Sequence, residues 1–221
     1  MSYEERIPGK VFSSELDGYI QALINGDYKR CLAYIQDYLK NEKTFIQLYE
    51  DILKKALYEV GKMWEYNQIT VATEHLATSI TESLLSQVYA EIYGHKSSGK
   101  KIVLSSGEKE EHRVGIRMVA DVFDSYGWET FFLGANMPAK ELISFIHGLK
   151  PDLIALSLSV YYNLDNFENM LQQIRGEFPL LPILIGGQAF NHGGKEKLLA
   201  LKGVTFIPDL YSLENFINKN F

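Results

Sequence analysis

The chain has 221 residues, 46% of them apolar and 13% aromatic, which suits one large packed domain or two small ones and not a disordered segment. A formal charge of −6 argues against a broad basic face for nucleic acid, where affinity comes mainly from neutralised phosphates. The single cysteine, Cys31, excludes an intrachain disulfide, no apolar run reaches the ~18 residues that span a bilayer, and the charged stretch 1–12 lacks the apolar core of a secretory signal, so a soluble, cytoplasmic protein is expected.

In chain order, residues 1–94 read as helices alone. The first opens at Ser13 and runs to about Ile24. Asn25-Gly26-Asp27 breaks it, and Asp27 caps a second that continues to Leu39, with Cys31 as a small buried apolar residue beside Leu32 and Ile35. Thr44 opens a third helix, in which Leu48, Ile52, Leu53, Ala56, Val60 and Met63 recur at helical spacing, and Tyr66-Asn67-Gln68 ends it. Thr70 caps a fourth, with Leu76, Ile80, Leu84 and Val88 as its core face. Four helices joined by short turns predict an antiparallel four-helix bundle.

The polar stretch Gly94–Lys100 reads as a linker. Beyond it, in residues 100–221, strands alternate with helices. The strands are Lys101–Ser105, Thr130–Leu133, Leu153–Ser157, Ile183–Ile185 and Thr205–Ile207. The helices are Gly115–Tyr126, Lys140–Leu149, Leu164–Phe178, Lys195–Leu201 and Leu213–Lys219. Short apolar strands between amphipathic helices predict an α/β domain with a parallel sheet of flavodoxin-like (Rossmann-like) order 2-1-3-4-5.

Such a sheet binds ligands at the carboxyl ends of its strands, where strand order reverses between the first and third. The residues delivered there are Ser105, Ser106, Gly107, Glu108 and His112, then Ser157 and Ser159, then Gly186 and Gly187. The acidic run Glu108, Glu110, Glu111 would repel a phosphate, and no carboxylate ends the first strand as a phospho-acceptor requires. His112 suits a metal ligand, since Glu110 stands two residues away and would accept a hydrogen bond from the N–H of its other ring nitrogen. Gly115, Gly186 and Gly187 would let a bulky ligand approach the backbone. The same spacing also fits a solvated loop histidine and turn glycines.

Together, Glu110-x-His112-x-x-Gly115, Ser157 and Gly186-Gly187 resemble the cobalamin-binding domain shared by methionine synthase, B12-dependent mutases and corrinoid proteins. The resemblance covers the whole second half and includes the loop Leu133-Gly134-Ala135-Asn136-Met137-Pro138. It implies that His112 displaces cobalamin's own base and becomes the lower axial ligand of cobalt. The serine then contacts the displaced base, and the glycines leave room for its tail. Glu110 stands where most members have Asp, and Ser159 where they carry an aliphatic residue.

In the first half, Trp64 followed by nine residues and then Glu74-His75 is similar to the pattern of light-sensing adenosylcobalamin repressors. That resemblance implies a helical cap in which Trp64, Glu74 and His75 surround the upper axial group. By themselves, Trp64 also reads as a core aromatic and Glu74-His75 as an exposed pair in a first helical turn. His75, Ser79 and Glu82 are expected to form a buried polar stripe. Glu65 occupies the position of the histidine that captures cobalt after photolysis in those repressors, and carboxylate is the poorer ligand for this metal. No helix-turn-helix is recognised, so a signal is expected to pass to a separate protein partner or through self-association.

These residues predict a stand-alone adenosylcobalamin photoreceptor and not an enzyme in its own right. Two alternatives stay open: a methyl-carrying corrinoid protein of a methyltransferase system using methylcobalamin, and a light-independent module binding cobalamin, with or without a bilin. Tyr161 and Tyr162 are read as tail-pocket lining or core, and His95, His147 and His192 as solvent-facing or packing residues.

Overall fold

The computed structural model describes residues 14–41, 43–92 and 97–221. The chain divides into two compact units, Met1–Glu91 and Ile92–Phe221. The expected helix start at Ser13, the first part of the Gly94–Lys100 linker and His95 lie outside the described residues.

The first unit contains α1 (Ser14–Ile24), α2 (Tyr28–Lys40), α3 (Phe45–Gln47), α4 (Lys54–Glu65) and α5 (Val71–Ile92). Local chemistry sets these bounds as expected. The Asp27 carboxylate accepts from the amide of Arg30 at 3.0 Å. Thr44 and Gln47 form a reciprocal capping box. The Thr70 hydroxyl accepts from the amide of Thr73 at 3.2 Å. Cys31 is buried, and burial pushes its thiol up to about 11.

Two features depart from the expected pattern. The third helix is not uniform, because Leu48–Leu53 forms a π turn between α3 and α4. Its wider winding buries Leu48, Tyr49, Glu50, Ile52 and Leu53 together, and the Glu50 carboxylate is held by Lys54 at 2.5 Å. On α5, Ala77, Ile80, Thr81, Leu84, Leu85 and Val88 are buried, but Leu76 is exposed. The small Ala77 takes the inward position, and Leu76 lies over Gly26, where an added Cβ would meet its Cδ2 at 2.9 Å.

The second unit contains β1 (Lys101–Ser106), α6 (Val114–Ser125), β2 (Glu129–Gly134), α7 (Ala139–Leu149), β3 (Leu153–Ser157), α8 (Leu164–Glu177), β4 (Ile183–Gly186), α9 (Lys195–Leu199), β5 (Val204–Phe206) and α10 (Leu210–Asn220). All strand pairs are parallel and the order is β2-β1-β3-β4-β5, as predicted. The three inner strands are almost wholly buried, which is why they read as continuous apolar runs. Val103, Ile154, Leu156 and Ile185 share a core with Leu142 and Ile146 of α7 and Phe167 and Leu171 of α8. α10 begins earlier than its apolar pattern suggested, because the Asp209 carboxylate caps it through the amide of Ser212 at 2.6 Å. Among the described residues, no helix is long and apolar enough to cross a membrane.

Candidate functional site

Register builds the site. Ser106 at the end of β1 pairs with Ser157 at the end of β3, and Ser157 pairs with Gly186 at the end of β4. Sheet order reverses between β1 and β3, so the loop 107–113 leaves from the switch point. The Ser106 hydroxyl donates to the His112 carbonyl at 2.6 Å and lies 3.5 Å from the Ser157 hydroxyl. The Gly107 amide donates to the Ser157 carbonyl at 3.0 Å. Asn136, in the loop after β2, anchors the same segment: its side-chain carbonyl accepts from the Lys109 amide at 2.9 Å and its amide NH2 donates to Glu111 at 2.9 Å. The Asn136 backbone N–H donates to the Glu110 carbonyl at 2.8 Å. Lys109 and Asn136 both adopt positive φ, 65° and 51°, at these tight turns.

His112 and Glu110 form the pair that their spacing predicted. Glu110 is fully buried (0% exposed), and its Oε1 lies 2.5 Å from His112 Nδ1. The same oxygen accepts the His112 amide at 3.0 Å. Oε2 accepts two further amides, from Ser159 and Val160, each at 2.8 Å. Burial alone pushes the Glu110 carboxyl up, but the His112 ring and the amides of Val160, His112 and Ser159 outweigh it and the net shift is downward. The carboxylate is thus kept ionised beside a ring whose side chain is 56% exposed. With Nδ1 turned to Glu110, a metal approaching this ring would meet Nε2.

The sign of that shift gives a test. A carboxyl whose folded pKa lies below its ordinary 4.5 contributes stability above that value and loses it as pH falls through the lowered pKa. In urea unfolding, the wild type is therefore expected to lose stability between pH 5 and the acid limit more steeply than Glu110→Gln. Parallel pH profiles for the two would refute the assignment.

Gly115 has open space at its missing side chain. The other two glycines serve the protein itself. A Cβ at Gly186 would meet the Ile207 carbonyl at 2.9 Å, and one at Gly187 (φ 116°) would meet the Leu158 carbonyl at 2.1 Å. At both positions the space that a side chain would take is filled by backbone. Ser159 is half-buried and engaged through its amide, not through its hydroxyl. Tyr162 is 90% exposed and so not core, while Tyr161 stacks edge-on with His192 at 6.0 Å. His147 packs on Phe178 at 4.5 Å. A shallow concavity lined by Pro151, Phe178, Pro179 and Leu180 lies at the amino ends of β3 and β4, away from His112.

In the helical unit, Trp64 is the penultimate residue of α4 and is half exposed (50%). Glu65 is exposed. His75 Nδ1 lies 2.6 Å from Glu74 Oε2, and the Thr78 hydroxyl donates to Glu74 Oε1 at 3.0 Å. Along the expected polar stripe, His75 and Ser79 are exposed and Glu82 is half-buried. Trp64, Tyr66, Val71 and Leu76 give this end of the helices a large exposed apolar content.

Sequence patterns missed the Ser106 and Asn136 anchors and the two amides on Glu110 Oε2. The serine and asparagine are visible in the sequence as residues at strand ends. Backbone donors leave no mark in side-chain pattern.

Two family models, each described as a B12 binding domain, match residues 100–207 and 15–89. The chain is 31% identical over 146 residues to the HTH-type transcriptional repressor CarH of Myxococcus xanthus, a match covering 65% of this chain and 48% of that protein. It thus spans about half the length of that relative. It is 23% identical over 161 residues to trimethylamine corrinoid protein 1 of Methanosarcina mazei, covering 69% of this chain and 73% of that one. In fold it is similar to a monomethylamine corrinoid protein of Methanosarcina barkeri, with a TM-score of 0.79 at 12% identity over 94% of this chain and 98% of that chain.

Proposed function

This chain belongs to the B12-binding domain family, and from that premise we propose that it is a cobalamin-dependent sensor or regulator, an adenosylcobalamin photoreceptor in which His112 ligates cobalt from below with the cofactor's own base displaced. The observation that carries the ligation is the buried Glu110 carboxylate on His112 Nδ1, which fixes the ring with Nε2 as the ligating atom. The donor set suits this group. Among the described residues no three His, Cys, Asp or Glu side chains cluster to hold a bare ion. A metal already held by a macrocycle needs only one ligand from the protein.

When bound, adenosylcobalamin supplies a light-sensitive cobalt–carbon bond. Gly115 leaves space beside the His112 loop, and Ser157 at the end of β3 and Ser159 in the loop after it would line the crevice. Trp64, Glu65, Glu74 and His75 are assigned to the upper axial group. The Glu74 carboxylate orients the His75 ring as Glu110 orients His112. Glu65 offers a carboxylate where the light-sensing repressors offer an imidazole, so a long-lived bis-histidine light state is not part of this reading. The output passes to a protein partner or through self-association.

A second reading is a methyl-carrying corrinoid protein. The match to trimethylamine corrinoid protein 1 favours it, because it extends over most of that protein's length.

Reconstitution in the dark with adenosyl-, methyl- and hydroxocobalamin, followed by green illumination, separates the two. Selective retention of the adenosyl form with a light-driven change in spectrum and assembly supports the photoreceptor. Stable retention of methylcobalamin without a change in assembly supports the carrier. Trp64→Ala is expected to leave folding stability within about 1 kcal/mol, as for a half-exposed side chain, and to abolish the preference for the adenosyl form. Co-elution of none of the three cobalamins would sink both readings.

A further inference from the structure

We propose that Glu110 is a positioning residue that also acts as a clamp. Its carboxylate ties the loop carrying His112 to the loop after β3, so that a change at His112 is transmitted to the exposed Tyr161–Tyr162 turn. The two oxygens divide the work. Oε1 holds the ring and amide of His112, and Oε2 holds the amides of Ser159 and Val160. Ser159 and Val160 lead directly into the 3-10 turn Tyr161–Asn163, for which Val160 is the N-cap residue. A second link joins the same loops, since the Asn163 side-chain amide donates to the Lys109 carbonyl at 3.0 Å. Of these two links, it is the carboxylate that touches the imidazole.

Burial makes the link stiff. The carboxylate is 0% exposed, so bulk water does not readily replace a partner that moves away. When the imidazole shifts, the carboxylate must follow it or lose its ring contact, and the two amides on Oε2 move with it. The turn they steer is at the surface: Tyr161 is half exposed and Tyr162 almost wholly so. That places an accessible aromatic pair one hydrogen-bonded step from His112.

Side-chain length is the specific requirement. Aspartate would still reach the amide two residues ahead, as in an Asx turn, but lacks the methylene that carries Oε2 to the β3 loop. Glutamine keeps the reach and one oxygen for the two amides, but presents NH2 towards the ring and the His112 amide. Glu110→Asp therefore separates the loop from the ring, and Glu110→Gln separates the ring from the loop.

The experiment is amide hydrogen exchange on the full chain, with and without hydroxocobalamin. Without it, Glu110→Asp is expected to speed exchange at Ser159 and Val160 by about tenfold or more, from loss of charge-assisted bonds. Glu110→Gln, which keeps an acceptor oxygen at that reach without the charge, is expected to speed it distinctly less than Glu110→Asp. Wild-type rates in Glu110→Asp would overturn the clamp. The transmission step rests on His112 being the cobalt ligand. With hydroxocobalamin bound, exchange at Ser159 and Val160 should change in the wild type and stay unchanged in Glu110→Asp. An unchanged wild type, with absorbance showing the cofactor bound, would overturn transmission. Absence of bound cofactor in the wild type would overturn the ligation and transmission together, while the clamp is still judged by the first comparison.

Discussion

His112→Ala is expected to lower the affinity for hydroxocobalamin by about a hundredfold or more and to return the bound cofactor's absorbance from the base-off to the base-on form. Removing a partner that only orients a metal ligand already costs about 10–100-fold in affinity. The ligating ring itself stands inside that shell, so its loss falls at the top of the range or beyond. The substitution also strips Glu110 of its ring contact, leaving a buried carboxylate with the amides of His112, Ser159 and Val160 alone. Three hydrogen bonds still satisfy it, so the fold survives and the loss reads out in binding. His147→Ala and His192→Ala are the controls. Those rings contact Phe178 and Tyr161 and should leave both affinity and spectrum unchanged. An absorbance titration in the dark measures all three. Retention of wild-type affinity and a base-off spectrum by His112→Ala would remove the central assignment.

The place of His112 was legible in the sequence for a physical reason. Alternating apolar strands and amphipathic helices dictate a parallel sheet, and a parallel sheet delivers its ligands at the carboxyl ends of the strands. The order β2-β1-β3-β4-β5 then put His112 at the switch point. Helix bounds were legible too, because Asp27, Thr44 and Thr70 cap through side chains that the sequence displays. Packing choices were not. Leucine is the more apolar residue, so pattern put Leu76 inward, whereas Ala77 faces the core. The π turn at Leu48–Leu53 was invisible because Leu48, Ile52, Leu53 and Ala56 satisfy ordinary helical spacing equally well. The partners of Glu110 Oε2 are backbone amides, brought close only by the completed sheet.

The glycines show the same limit most sharply, and they yield the second large effect. Gly187→Ala is expected to destabilise the apoprotein by about 3 kcal/mol or more. Its φ of 116° is one that L side chains rarely adopt, and the new Cβ would lie 2.1 Å from the Leu158 carbonyl oxygen and 2.9 Å from the Leu158 nitrogen. Those atoms are backbone and already bonded: the Leu158 amide donates to Gly186 at 2.9 Å, and its carbonyl accepts from Ala189 at 3.2 Å. Relief requires parting β3 from β4, which takes the crevice with it. Gly115 is the opposite case. It sits in α6 with open space at its missing side chain. Gly115→Ala should therefore stabilise the apoprotein by about 0.5–1 kcal/mol through helix propensity. Urea unfolding without cobalamin measures both. If Gly187→Ala unfolded like wild type, the glycine would be reserved for a ligand and not for the sheet. If Gly115→Ala gained stability yet lost affinity for hydroxocobalamin, the space beside His112 would be the part of the crevice that the cofactor occupies.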